Sequence, residues 1–205
     1  MLKIGLTGVI GAGKAEVARI LASLGAVAVY ADEVSRAVYE PGEAGFRAIV
    51  DVFGSGVLDR DGRIDRRALG AKVFASEPER RKLEAAVWPV IAEALSRRLA
   101  EAEQGGATAA VIEAAVLFEA GWDRLVDEVW TVTAPETALV ERVGARDGLS
   151  ADQVRARMKA QLPAAEKEKR ADRVVRNDGT LENLREHVEK AWREATGGRD
   201  APASN

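Results

Sequence analysis

The first fourteen residues constrain the fold of this chain more than any other segment. Residues 2–7, LKIGLT, form a short apolar run that is typical of a buried strand. A glycine-rich stretch follows from Gly8 to Lys14, and a helical pattern of apolar residues begins at once. In such a unit, backbone N–H groups, the positive end of the helix and a lysine ammonium converge on one point. The segment therefore predicts a phosphate-binding loop, and the alternative is a structural glycine-rich turn.

The spacing of Gly8, Gly13 and Lys14 matches the Walker A pattern, with one departure. Ala15 stands where serine or threonine normally supplies a magnesium ligand, and a methyl group cannot coordinate a metal. We expect the loop to bind the phosphates of a nucleotide. The predicted nucleotide-binding residues are Gly8, Val9, Ile10, Gly11, Ala12, Gly13, Lys14, Ala15, Glu16 and, from a later helix, Arg146.

Composition and charge exclude several classes of protein. With 47% hydrophobic and 31% charged residues, the 205-residue chain has the composition of an ordinary globular protein. It has no apolar run near the roughly 20 residues that cross a bilayer, and no signal-peptide pattern, so we expect a cytoplasmic protein without a membrane partner. It has no cysteine and one histidine, which excludes disulfides and thiolate or imidazole metal clusters. A net charge of −3 argues against nucleic acid as a partner. We expect a monomer or a weak homo-oligomer.

Five strand signals alternate with helical patterns along the chain. The predicted strands are residues 2–7, 26–30, 109–112, 128–133 and 173–176. This order predicts an α/β fold of the P-loop NTPase type, in which a parallel five-stranded sheet is flanked by helices. The predicted domain comprises residues 1–196, with its core at 1–42, 105–135 and 171–196 and a flexible tail at 197–205.

Two helical additions interrupt the predicted core. The first, about residues 43–104, is too long for a simple crossover and is predicted to cover a substrate. Within it we expect a turn at 59–62, a helix capped by Asp65, and a long helix that starts near Pro78 and is interrupted at Pro89. The second, about residues 136–170, contains helical segments at 136–147 and 151–161 and is predicted to form a lid.

Two carboxylates follow predicted strands at the edge of the sheet where ligands bind in such folds. Asp32 ends the second strand and is placed to accept the proton of a substrate hydroxyl during phosphoryl transfer. The alternative is an N-cap of the helix that follows. Glu113 ends the third strand and could hold magnesium directly or through water, although an acid at a solvent-facing strand end is the plainer interpretation.

The predicted lid carries a cluster of basic residues. Interleaved acids allow much of this charge to be paired along the helices. The functional alternative is that arginines close over the phosphates and neutralise charge in the transition state. Arg142 and Arg146 lie one turn apart, so they share a helix face and are the favoured candidates, Arg142 with a catalytic role.

Taken together, these motifs resemble the dephospho-CoA kinase family over about residues 2–193. The order of the matches is more specific than the phosphate loop alone. The matching segments are residues 6–14, 31–36, 40–42, 66–69, 73–74, 116–121, 142–150, 157–161, 167, 171–172 and 177–181.

The resemblance implies transfer of the γ-phosphate of ATP to the 3′-hydroxyl of dephospho-CoA, with magnesium. It implies that Gly11 to Glu16 bind ATP, that Asp32 is the base, and that Arg142 of the lid reaches phosphate. Residues near 60–100 would bind dephospho-CoA. Besides Ala15, the chain departs from the family by having Tyr30 where a first acid is usual and Glu113 where aspartate is more common. Two alternatives remain: a non-catalytic nucleotide- or CoA-binding homologue, and a kinase of another small acceptor.

Overall fold

The computed structural model describes residues 1–197, so the predicted tail falls almost wholly outside the described residues. The chain divides into two compact units. The first contains residues 1–29 and the chain from residue 99 onward. The second contains residues 30–98.

Five strands form one sheet in the order β2-β3-β1-β4-β5. The strands are β1 (Leu2–Thr7), β2 (Val27–Tyr30), β3 (Ala109–Glu113), β4 (Glu128–Thr133) and β5 (Arg173–Arg176). β1 lies at the centre and pairs in parallel with β3 and β4, and β4 pairs in parallel with β5. The predicted fold class, a parallel five-stranded sheet flanked by helices, is confirmed. Every predicted strand is present, with bounds that differ by one residue at most.

The helices fill the intervals between the strands, and no helix among residues 1–197 has the length and apolarity to span a membrane. They are α1 (Lys14–Ser23), α2 (Ala31–Val38), α3 (Ala44–Phe53), α4 (Arg66–Ala75), α5 (Glu77–Gln104), α6 (Glu136–Asp147), α7 (Ala151–Lys159), α8 (Ala164–Arg170) and α9 (Leu181–Ala195).

The core of the first unit lies on the central strands. Leu6 in β1, Ile112 in β3 and Trp130 in β4 are completely buried. Continuous apolar runs of this kind are typical of parallel strands, because helices cover both faces of the sheet. The central position of β1 fixes the start of the phosphate loop, which follows Thr7 directly.

The second unit contains the turn and the cap that the sequence predicts. The carboxylate of Asp59 accepts hydrogen bonds from the N–H groups of Asp61 and Arg63, which closes the turn. Asp65 caps α4 by accepting from the N–H groups of Arg67 and Ala68 at 2.8 and 3.0 Å. Both predictions are confirmed.

The predicted interruption at Pro89 is wrong. α5 runs without a break from Glu77 to Gln104 and contains Pro89 in its interior. A proline removes one helical N–H donor and crowds the preceding turn. Here Val87, Ile91 and Leu95 are buried at four-residue spacing on both sides of the proline, and this packing keeps the helix continuous.

Candidate active site

The phosphate loop, residues 8–13, joins the end of β1 to the start of α1. Gly13 directly precedes the helix, with φ 98°, and has no side chain with which to cap it. The N–H groups of the first helical turn have no intrahelical acceptors and carry the positive end of the helix dipole. The loop and the helix therefore form an anion site from main-chain atoms alone.

Close approaches, as well as positive φ angles, require glycine at positions 11 and 13 of this loop. A Cβ atom on Gly11, φ 82°, would lie 2.6 Å from Cγ2 of Val143 in α6. A Cβ atom on Gly13 would collide with Nδ2 of Asn177, the residue that follows β5. The loop is thus packed tightly against the start of the predicted lid and against the end of the edge strand.

Lys14 and Glu113, which the sequence predicts to lie together, are neighbours in the first unit. The Lys14 ammonium lies 3.9 Å from Oε1 of Glu113 and 3.5 Å from the main-chain oxygen of Val9. The two side chains are 11% and 14% exposed. Their proximity follows from the sheet register, because Glu113 pairs with Leu6, the penultimate residue of β1. A cation and a carboxylate are thereby held at the mouth of the phosphate loop.

Asp32 belongs to the second unit, where it is exposed and is the second residue of α2. The residue that caps this helix is Tyr30. The alternative interpretation of Asp32 as the N-cap is therefore wrong, because the helix begins one residue before it. An acid in the first turn is still favourable for the helix dipole.

Arg142 is connected to the phosphate loop by way of Asn177, whose side chain contacts Ala12. Its Nη2 donates to the main-chain oxygen of Asn177 at 3.1 Å. Its Nη1 is buried and has no hydrogen-bond partner among the described residues. Buried donors without acceptors are costly, so this atom marks a place where an anionic ligand would be stabilised.

The other arginines of the predicted lid are paired on its exposed side. Arg146 binds both carboxylate oxygens of Asp147, at 2.7 and 2.9 Å, and this pairing holds the pKa of Asp147 below its ordinary value. Arg155 donates to Glu136 and Asp152. The two favoured arginines therefore differ in environment. Arg142 has a buried guanidinium nitrogen, whereas the guanidinium of Arg146 is paired with the carboxylate of Asp147.

Lys167, in α8, forms an ion pair with Glu119 in the first unit. Its side chain is completely buried and donates to both carboxylate oxygens of Glu119, at 2.9 and 3.0 Å, and to the oxygen of Ala115 at 2.8 Å. Burial lowers the pKa of Lys167, and the hydrogen bond to Glu119 opposes this shift. Glu119 also accepts from the N–H of Leu162 at 2.7 Å. The pair attaches the end of the predicted lid to the segment that follows β3.

The donor set fits a magnesium ion that arrives with the nucleotide. The described residues contain no group of three or more carboxylate, imidazole or thiolate side chains that could hold a metal alone. Magnesium keeps several waters and binds proteins through one or two carboxylates together with substrate phosphates. Glu113 offers one such carboxylate beside the loop, whereas Ala15 offers none.

Two side-chain amides contact the loop, and the residue types alone gave no sign of either. Oε1 of Gln161 accepts from the N–H of Ile10 at 3.0 Å, and Nδ2 of Asn177 donates to the oxygen of Ala12 at 2.8 Å. Both residues fall within segments that match the dephospho-CoA kinase family, and this is the only sequence signal that could have found them.

Comparison with known proteins identifies the family. The dephospho-CoA kinase family model matches residues 2–183. The dephospho-CoA kinase of Geobacter sulfurreducens is 46% identical over 92% of this chain and 96% of its own length. That of Symbiobacterium thermophilum is 43% identical over 95% of this chain and 82% of its own.

Solved structures share the fold of this chain. The crystal structure of TT1252 from Thermus thermophilus superposes with a TM-score of 0.79 at 36% identity, covering 94% of this chain and 97% of that one. Shikimate kinase from Acinetobacter baumannii, at 16% identity and a TM-score of 0.57, covers 97% of this chain and 95% of its own and shares the fold. The chain belongs to the dephospho-CoA kinase family.

Proposed function

We propose that this chain transfers the γ-phosphoryl group of ATP to the 3′-hydroxyl of dephospho-CoA, the last step of coenzyme A biosynthesis. The observation that carries the proposal is a built phosphate loop, with Lys14 at its mouth, in a chain matched to the family over residues 2–183. No finding supports the alternatives of a non-catalytic homologue or a kinase of another acceptor. We also propose the cytoplasm as its location and a monomer or weak homo-oligomer as its state.

Phosphoryl transfer requires little covalent chemistry from the protein, so positioning and charge stabilisation supply most of the catalysis. Main-chain N–H groups at the start of α1 would bind the phosphates, and Lys14 would neutralise the β- and γ-phosphates. Arg142 would supply a second positive charge, because its buried Nη1 lacks an acceptor in the described structure. Arg146 is the weaker candidate, since it would have to leave Asp147 to bind a nucleotide.

Asp32 is the proposed general base. It would accept the proton of the 3′-hydroxyl as that oxygen attacks the γ-phosphorus. Its exposure on α2 supports this role, because a bound substrate can reach the carboxylate. We further propose that the helical segment of about residues 43–104 binds dephospho-CoA, with residues near 60–100 contacting it, and that residues 136–170 act as the lid.

Glu113 is the proposed protein ligand of magnesium, directly or through water. The chemistry that a magnesium ion held there would supply is positive charge beside the transferred phosphoryl group. Glu113 keeps Lys14 close to the loop in the described structure, which supports a shared role at the nucleotide phosphates. Because Ala15 supplies no oxygen, we expect weaker metal positioning and a slower reaction than in relatives with a hydroxyl at this place.

A coupled assay of ADP release tests the proposal. With ATP, magnesium and purified protein, we expect ADP release that depends on added dephospho-CoA. The Asp32→Asn variant should lose most of this activity and still bind ATP, because the substitution removes a base and leaves the loop intact. Glu182→Gln is the matched surface control, since Glu182 is an exposed acid of α9, outside the phosphate loop and the predicted lid. Absence of acceptor-dependent ADP release at high enzyme concentration, or a preference for another acceptor, would refute the assignment.

A further inference from the structure

Two neutral side-chain amides, Gln161 and Asn177, hold the phosphate loop on either side of Gly11. Gln161 accepts a hydrogen bond from the N–H of Ile10 at 3.0 Å, and Asn177 donates one to the oxygen of Ala12 at 2.8 Å. A main-chain N–H can only donate and a carbonyl can only accept, so the loop itself fixes the orientation of both amides. We call these two residues the carboxamide pair.

Asn177 is anchored at three points. The residue is buried, with 9% of its surface exposed. Its main-chain N–H donates to the oxygen of Thr133 at the end of β4, at 2.8 Å. Its main-chain oxygen accepts from Arg142, and its amide reaches Ala12. The residue therefore connects the sheet, the phosphate loop and Arg142.

Gln161 is anchored through its neighbour in the chain. The N–H of Leu162 donates to Glu119 at 2.7 Å, and Glu119 is held by the buried ammonium of Lys167. This fixes the segment between α7 and α8 against the segment that follows β3. The hydrogen bond between Gln161 and Ile10 is thus supported by contacts of Leu162 and Lys167 with Glu119, all of which lie outside the loop.

The physical need for the carboxamide pair follows from the loop's composition. A loop with glycines at 8, 11 and 13 has high conformational entropy when free, and ordering it on binding would weaken nucleotide affinity. Hydrogen bonds from side chains outside the loop to its backbone reduce this entropic cost, because they order the loop before the nucleotide binds. Carboxamides suit the place because they carry no charge, whereas a carboxylate there would repel phosphate.

We propose that Gln161 and Asn177 are positioning residues that hold the phosphate loop in its nucleotide-binding conformation before ATP arrives. Asn177 additionally places Arg142 beside the loop. The proposal rests on the proposed function only in taking ATP as the ligand of the loop. It is distinct from substrate contact, since both amides act on main-chain atoms of the protein.

The test compares each member of the carboxamide pair with a matched amide that caps a helix. Asn183 is the control, because its side chain accepts from the N–H group of Thr180 and lies outside the loop and the predicted lid. Gln161→Ala and Asn177→Ala should each weaken ATP binding by about three- to tenfold in calorimetry, the effect of one lost hydrogen bond. The KM for dephospho-CoA should stay within about twofold. Asn183→Ala should leave ATP affinity unchanged.

Amide hydrogen exchange in the nucleotide-free protein measures directly how well the N–H of Ile10 is protected by its hydrogen bond to Gln161. The N–H of Ile10 should exchange faster in Gln161→Ala, and added ATP should restore its protection. In Gln161→Glu the carboxylate still accepts from this N–H, so protection should persist while ATP affinity falls from charge repulsion. Asn177→Asp keeps the size of the side chain, loses the donor and adds a negative charge, so it should weaken ATP binding more than Asn177→Ala does.

The outcomes separate this proposal from the proposed function. If Ile10 exchange and ATP affinity in the Gln161 and Asn177 variants match those of the control, the proposal is overturned, whatever the turnover. If both KM values rise together with a loss of thermal stability, the role is general folding and the proposal also fails. Should the wild-type protein show no acceptor-dependent ADP release, exchange and calorimetry still decide whether the carboxamide pair orders the loop.

Discussion

In the Lys167→Met variant, a methionine of similar length fills the space of the lysine stem, and Glu119 loses the cation that faces it. The wild-type ammonium makes three hydrogen bonds, two to Glu119 and one to the oxygen of Ala115. All three join the predicted lid to the segment after β3. The substitution therefore measures how strongly the end of the lid is attached.

The size of the loss follows from the exposure of the partner that remains. Removing one member of a fully buried ion pair costs about 3–5 kcal/mol. The Glu119 side chain keeps 20% exposure and its hydrogen bond from the N–H of Leu162. Because water and this N–H compensate part of the lost pairing, we expect the free energy of unfolding to fall by roughly 2–3 kcal/mol. For a chain of this length that corresponds to about 4–12 °C in Tm.

Urea unfolding followed by circular dichroism at neutral pH provides the measurement. Lys169→Met, an exposed lysine of the same helix, is the matched control and should stay within about 0.5 kcal/mol of wild type. The double variant Lys167→Met, Glu119→Gln should recover about 1 kcal/mol, because glutamine still accepts from Leu162 and leaves no buried charge. A Lys167→Met protein as stable as the control, or a double variant less stable than the single one, would refute the reasoning.

Three further outcomes are expected. Lys14→Ala should reduce kcat/KM by about 10²–10³-fold in the ADP-release assay, since one preorganised charge at the phosphates is lost; a loss below about threefold would contradict the role. Ala15→Ser should lower the magnesium concentration needed for half-maximal rate without reducing kcat, and a lower kcat would contradict the missing-ligand argument. Arg173 donates to Glu128 and holds the pKa of that carboxyl below its ordinary value. A depressed pKa adds stability that is present above the ordinary glutamate pKa, about 4.3, and is lost as pH falls through the folded-state value. As the pH is lowered from 7 to 3, the urea midpoint should therefore fall less steeply in Glu128→Gln than in wild type. An equal dependence of the midpoint on pH in the two proteins would refute this.

The strands were predictable because each is a local feature. Apolar runs such as residues 109–112, which are buried in the sheet, can be recognised from a few consecutive residues, and turn residues mark their ends. The capping alternative for Asp32 failed by two residues, because Tyr30 occupies the N-cap position, and this is the usual scale of error at a helix start. The continuity of α5 through Pro89 could not be predicted from the proline alone, because burial on both sides of it decides the outcome.

The residues of the candidate site also fall into two groups: those that a contiguous motif reveals, and those that are brought together only by contacts between distant parts of the chain. The phosphate loop is contiguous, so its glycines and Lys14 are visible in the sequence. The contacts of Gln161 and Asn177 with the loop span 151 and 165 residues and depend on the assembled sheet. Their residue types carry no chemical signal, since neutral amides are common on surfaces and in caps.

The substitution at Ala15 separates two properties that the Walker A motif usually combines. Phosphate binding depends on main-chain N–H groups and on the helix dipole, and alanine retains both. Metal positioning depends on a side-chain oxygen, which alanine lacks. Ala15 is exposed, so a serine hydroxyl could be added without disturbing the core. ATP affinity without magnesium should therefore be the same in wild type and Ala15→Ser, and only the metal-dependent part of the reaction should change.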